Sequence, residues 1–181
     1  MFKKLIATIA TTICCLADPL PVMAQNTYDD HKELWSAIQD LGIVTLINHK
    51  IQCRNPNKAG TYYTNGMLVI CQENRESNNS IQIDWTAEDL DTLRHEAHHL
   101  IQDCASGKIA DDKITTVFTE DELVGFLEDS SYSDDQLLAL YKTLKEQLSP
   151  EEILLELEAY AVAKDIPARE IKNKLIEFCA N

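Results

Sequence analysis

The residues of this chain best suited to chemistry stand together in Arg94-His95-Glu96-Ala97-His98-His99. His95 and His99 are four apart, so on a helix their imidazoles lie one above the other and can share one metal ion. Glu96 follows the first of them and points to their flank, where a carboxylate reaches a water beside the metal rather than the metal itself. His95, Glu96 and His99 thus spell H-E-x-x-H, a pattern that suits zinc (Zn2+) with a glutamate as general base. In a chain with five histidines such a match arises by accident roughly once in a hundred chains, so its surroundings must support it.

Those surroundings are helical. Thr86 can cap a helix predicted over residues 87–103, with Asp89 in its first turn. Leu90, Leu93, Ala97, Leu100, Ile101 and Cys104 gather on one apolar stripe. His95 and His99 fall nearly opposite, beside Glu88, Thr92 and Asp103, on a face that is either plain surface or the floor of a cleft. His98 is turned about 100° away from His99 and is not expected to join the same site.

A catalytic zinc takes three protein ligands and keeps one open position. No histidine follows His99, and His31 and His49 have no motif around them and are expected on the surface or in loops. A carboxylate remains, and Leu155-Glu156-Leu157-Glu158-Ala159-Tyr160-Ala161 offers two. Glu158 shares its phase with Glu151 and Asp165, as on a solvated face. Glu156 has Ile153, Tyr160 and Ala163 along its own face, and a carboxylate among apolar side chains needs a partner. Glu156 is therefore the first choice for a third ligand and Glu158 the second. A surface acid on an acidic helix is the plain alternative.

H-E-x-x-H followed by a helix carrying Glu156 and Ala159 as E-x-x-A resembles the gluzincin branch of the zincin metallopeptidases. The resemblance covers two helices, and a sheet ahead of the motif helix agrees with it. It implies His95, His99 and Glu156 as zinc ligands, Glu96 as the base that activates water, and hydrolysis of peptide bonds in a peptide or protein substrate. Many gluzincins have an aspartate four residues after the ligand glutamate, where this chain has Tyr160. Asp91 and Asp103 are the expected substitutes for orienting the histidines. An oxyanion stabiliser is expected among Tyr62, Tyr63, Tyr132, Tyr141 and Tyr160. By analogy with such folds, the strand at residues 67–71 is expected to be the sheet edge that holds a peptide.

The elements that must position these residues follow from periodicity and turn chemistry. A helix is predicted over residues 31–41, ended by Gly42, then a strand over 43–47. A hairpin is predicted around Asn65-Gly66, and a short strand at 81–84. Thr119 with Glu122 and Ser133 with Gln136 form capping boxes for helices near 120–128 and 134–147. Ser149-Pro150 opens a helix over 153–164, and the last runs over 168–179 after Pro167. The expected class is α+β and zincin-like: a small N-terminal antiparallel β-sheet or hairpin followed by a helical majority, in a single domain over residues 25–181.

Residues 1–24 read as a cleaved export signal. Lys3 and Lys4 precede an apolar run over residues 5–17, and Val22-Met23-Ala24 places small residues before Gln25. An uncleaved anchor is the alternative, disfavoured because the run is short. Ile13 before Cys14 argues against a lipoprotein signal. Removal of this segment takes away one net positive charge from a chain already at −14. Such acidity opposes binding to nucleic acid and to anionic membranes, and no stable membrane association is expected after cleavage. Cys53, Cys71, Cys104 and Cys179 remain, with no C-x-x-C pair. In an exported protein, periplasmic or extracellular, they are expected as disulfides, with Cys53–Cys71 and Cys104–Cys179 preferred among three pairings. Asn78-Asn79-Ser80 matches a glycosylation acceptor. The expected function is an exported zinc metallopeptidase. The rivals are a peptidase-like protein that binds zinc and peptide without turnover, and an exported interaction domain with a fortuitous motif.

Overall fold

One helix, α2 (Ala87–Ala105), is packed on nearly every side, and the rest of the molecule is arranged about it. The computed structural model describes residues 28–73 and 85–180. The export signal, the strand expected at 81–84 and Asn78-Asn79-Ser80 lie outside the described residues. Ahead of α2 come α1 (Tyr28–Asp40), β1 (Val44–Ile47), β2 (Gly60–Tyr63) and β3 (Met67–Ile70). After it come α3 (Glu120–Glu128), α4 (Asp134–Lys145), α5 (Pro150–Asp165) and α6 (Ala168–Cys179). The class is α+β, with a three-stranded sheet and six helices among the described residues.

Local chemistry sets the helix starts. Thr86, Thr119, Ser133 and Ser149 each cap a helix, accepting from the amide three residues on while that residue's side chain accepts from the cap's own amide. Each such pair satisfies two amides that a helix start otherwise leaves free. The turn from β2 to β3 also follows the sequence: the Gly66 amide donates to the Tyr63 carbonyl, and Gly66 has φ +86°. That left-handed conformation suits glycine in a three-residue hairpin loop.

The sheet departs from expectation. Its order is β1-β3-β2, with β1 parallel to β3 and β2 antiparallel to it. It is a mixed sheet rather than an antiparallel one, because the chain crosses from β1 to the far side before the hairpin returns β3 to the middle. Consequently the strand at 67–71 is central, and its hydrogen bonds are used on both sides. The edge facing α2 is β2.

The core joins Leu34 and Ile38 of α1, Leu68 and Ile70 of β3, Leu93, Leu100 and Ile101 of α2, and Ile171 and Leu175 of α6. Both expected disulfides are present: Cys53–Cys71 ties the β1–β2 connection to the end of β3, and Cys104–Cys179 ties α6 to α2. Such bonds fit an oxidising compartment. Among the described residues no helix is long and apolar enough to cross a membrane. Buried Ala159, Ala161 and Ala163 let α5 lie close to α2, the approach on which the site depends.

Candidate metal centre

Only the apolar stripe of α2 was legible as buried; the opposite face is largely buried as well. Glu96, His98, Gln102 and Asp103 are all buried, covered by β2, α5 and the segment that follows α2. His95 and His99 are each about 12 % exposed, at the floor of a cleft of about 620 Å³. Clefts of this size accommodate small ligands and peptide side chains. One wall is residues 57–62 of the β2 edge; the other includes Leu155, Glu156 and Tyr160 of α5.

On this floor three potential ligands converge. The His95 and His99 Nε2 atoms are 3.0 Å apart, and the Glu156 carboxylate oxygens lie 3.2 Å from the first and 3.4 Å from the second. Among the described residues these three form a group able to hold a metal ion. Ligand atoms around a tetrahedral zinc with bonds of about 2.0–2.1 Å stand about 3.3 Å apart, so the spacing fits. The donor set fits too, since two imidazoles and one carboxylate suit a borderline-soft divalent cation.

The local electrostatics describe the same convergence. Burial lowers the His99 pKa, but hydrogen bonding to Glu156 and the charges of Glu96 and Glu156 outweigh it and lift it to about 9. Burial raises the Glu156 pKa, and the two histidines reverse that and hold it well below the usual carboxylate range. Glu156 therefore offers a charged carboxylate near neutral pH.

Glu96 sits beside this group and makes a different set of contacts. The Tyr62 amide donates to its Oε2 at 2.5 Å. The Ala59 carbonyl accepts from the Cys71 amide, which fixes the strand phase in which Tyr62 points its amide away from β3, towards α2. β2 can come this close only because residue 60 is glycine: a Cβ there would lie 2.8 Å from the Glu96 Oε1 and 2.6 Å from the Thr92 Cγ2. Burial pushes the Glu96 pKa up, against the opposing pull of His95, His99 and the Tyr62 amide.

Glu158 is corrected from a solvated acid to a fully buried one. Its carboxylate takes hydrogen bonds from His98 Nε2 at 2.6 Å, Gln102 Nε2 at 3.1 Å, and the Val117 and Phe118 amides at 3.0–3.1 Å. Four donors match the four lone pairs of a carboxylate, which leaves none for a metal and removes Glu158 as a third ligand. His98 thus stays out of the cleft, as its phase predicted, and burial lowers its pKa.

The residues expected to orient the histidines do other work. Asp91 pairs with Arg94, and Asp103 accepts from the Tyr62 hydroxyl and the Ala110 amide. His99 Nδ1 instead meets Gln102 Oε1 at 2.8 Å, a contact that sequence reading missed although Gln102 lies one turn further along the same face. His95 Nδ1 is buried with no hydrogen-bond partner among the described residues, and its ring packs on Tyr160 with centroids 4.4 Å apart. His31, expected at the surface, is buried on α1 against Arg94. His49 lies in the turn after β1.

Of the five tyrosines, Tyr160 and Tyr132 bring their side chains to the cleft, and burial raises both phenol pKa values. The Tyr62 hydroxyl is committed to Asp103, Tyr63 bonds Gln52 and Lys58, and Tyr141 is exposed on α4. Comparison of the chain with protein-family models, with curated proteins and with solved structures finds no significant match.

Proposed function

We propose that this protein is an exported zinc metallopeptidase of the gluzincin kind, hydrolysing peptide bonds with His95, His99 and Glu156 as metal ligands and Glu96 as general base. The observation that carries the reading is the meeting of two imidazoles and an ionised carboxylate on a cleft floor, with a second, hydrogen-bonded carboxylate beside them. Zinc held there would supply Lewis acidity, polarising a substrate carbonyl and acidifying a water.

The remaining roles belong to the chain. Glu96 takes a proton from the attacking water and returns it to the departing amine, a task helped by burial that raises its pKa above that of a free carboxylate. Tyr160 and Tyr132 keep their protons near neutral pH and can donate to a developing oxyanion. The β2 edge, rather than the central β3, is the strand along which an extended peptide would lie. Export is supported by the signal-like N-terminus and the two disulfides.

Two measurements test the reading. Metal analysis of the purified protein should find about one equivalent of zinc; finding none sinks it. The Glu96→Gln protein should keep that zinc and lose hydrolysis of a diverse peptide mixture. Wild-type protein that holds zinc yet cleaves no peptide would be a zinc-binding protein without turnover.

A further inference from the structure

A histidine ligates a metal through a ring nitrogen that carries a lone pair, so its hydrogen must sit on the other nitrogen. Two acceptors compete for the hydrogen of a neutral His99 ring: Glu156 Oε1, 3.4 Å from Nε2 on the cleft side, and, at the shorter distance, the end of a chain of contacts running behind Nδ1. His99 Nδ1 faces Gln102 Oε1 at 2.8 Å. The other end of that amide, Gln102 Nε2, donates to the Leu155 carbonyl and to Glu158 Oε1, both at 3.1 Å. Flipping the amide would turn its oxygen towards those two acceptors and its NH₂ towards His99, losing both bonds. The two acceptors therefore set the amide, and the amide leaves only an acceptor for His99 Nδ1.

Glu158 is in turn unable to move. It holds the Val117 and Phe118 amides and His98 Nε2 as well as Gln102, and both Glu158 and Gln102 are fully buried. The relay runs from the segment after α2, through α5, to the back of the metal-facing imidazole.

We propose that Gln102, anchored by Glu158 and the Leu155 carbonyl, is a positioning residue that holds the neutral His99 ring with its hydrogen on Nδ1 and its Nε2 lone pair turned into the cleft. The purpose of the arrangement rests on the metal reading; the arrangement itself does not. It replaces, for His99, the carboxylate that the sequence led us to expect in Asp103. His95 has no equivalent among the described residues, where its Nδ1 meets no partner.

The test reads the imidazole ¹⁵N resonances of His99 in purified, metal-free protein, on the alkaline plateau where they no longer change with pH. A predominantly Nδ1–H ring is expected; a predominantly Nε2–H ring in the wild type overturns the proposal without any variant. Gln102→Met, which keeps the volume but removes all three amide contacts, should shift His99 towards a mixture of tautomers. The same change should weaken zinc binding about 10–100-fold, the usual effect of losing such a support. An unchanged tautomer in a folded Gln102→Met protein also overturns it. An Nδ1–H ring in wild-type protein that takes up no zinc would sink the metal reading and leave the relay standing.

Discussion

Two histidine–glutamate sets bridge the same pair of helices, α2 and α5, and differ in almost everything except residue type. His98 and Glu158 are sealed, 1 % and 0 % exposed, and their contact is 2.6 Å. His95, His99 and Glu156 are partly open, with longer contacts of 3.2 and 3.4 Å to the carboxylate. In the sealed set every carboxylate lone pair has a protein donor. In the open set, among the described residues, the Glu156 carboxylate has the imidazole nitrogens opposite it. Hydrogen-bond satisfaction, rather than histidine and glutamate as such, thus separates a structural pair from a candidate metal site.

The sharpest way to break this comparison is to remove one carboxylate from each set. Glu156→Ala should abolish zinc retention, measured as metal per protein after dialysis, while the metal-free fold survives. Glu158→Ala should instead strike the fold, because it leaves buried donors unpaired; a loss of about 3–5 kcal/mol in urea denaturation is expected. If Glu158→Ala costs little stability and releases zinc, the two sets have been assigned the wrong way round.

A smaller effect separates the proposed base from the proposed ligands. Gly60→Ala would press a methyl group on the Glu96 carboxylate and on Thr92, shifting the base by some tenths of an ångström or more. Peptide hydrolysis should fall by up to about 10²-fold with zinc content unchanged, as measured by kcat/KM beside metal analysis.

The mildest test is pH. The folded His99 value, raised from 6.5 to about 9, means a contribution complete below about 6.5 and lost as pH rises to 9. His98 has the opposite sign: burial lowers its pKa, so its effect on stability appears as a loss when pH falls below 6.5. Metal-free protein should therefore show stability falling on both sides of about pH 6.5 in thermal melts. Glu156→Gln should flatten only the alkaline limb, because it removes the partner that raises His99. An alkaline limb unchanged by that substitution would disconnect His99 from Glu156.

Much of this was legible because it is local or covalent. Capping boxes at Thr119 and Ser133, a cap at Thr86 and the Ser149-Pro150 start signal announced their helices within four residues, and the structure completes boxes at Thr86 and Ser149 as well. The H-E-x-x-H spacing is fixed by one helix, and the cysteine pairing followed from position. The phase that singled out Glu156 held in part: Tyr160 and Ala163 accompany it along the cleft wall, while Ile153 turns away to pack with Leu144 and Leu157. The failures share a cause, which is that a helical wheel knows only its own helix. It grouped Glu158 with Glu151 and Asp165, blind to His98 across the interface and to the amides of residues 117 and 118. It offered Asp103 to a histidine, while Tyr62, from a strand forty-one residues away, claims the carboxylate. Strand order was hidden for the same reason, since nothing local tells β3 that it will lie between β1 and β2.

The Cys104–Cys179 bond spans 75 residues and contains Glu156 but neither histidine of the motif. A backbone cut anywhere in residues 106–148 would place His95 and His99 on one fragment and Glu156 on the other. The bond would nevertheless hold those fragments in one molecule, so nicked protein should run as a single species until it is reduced. The bridge thus keeps the three residues of the candidate site in one molecule even after the chain between them is cut.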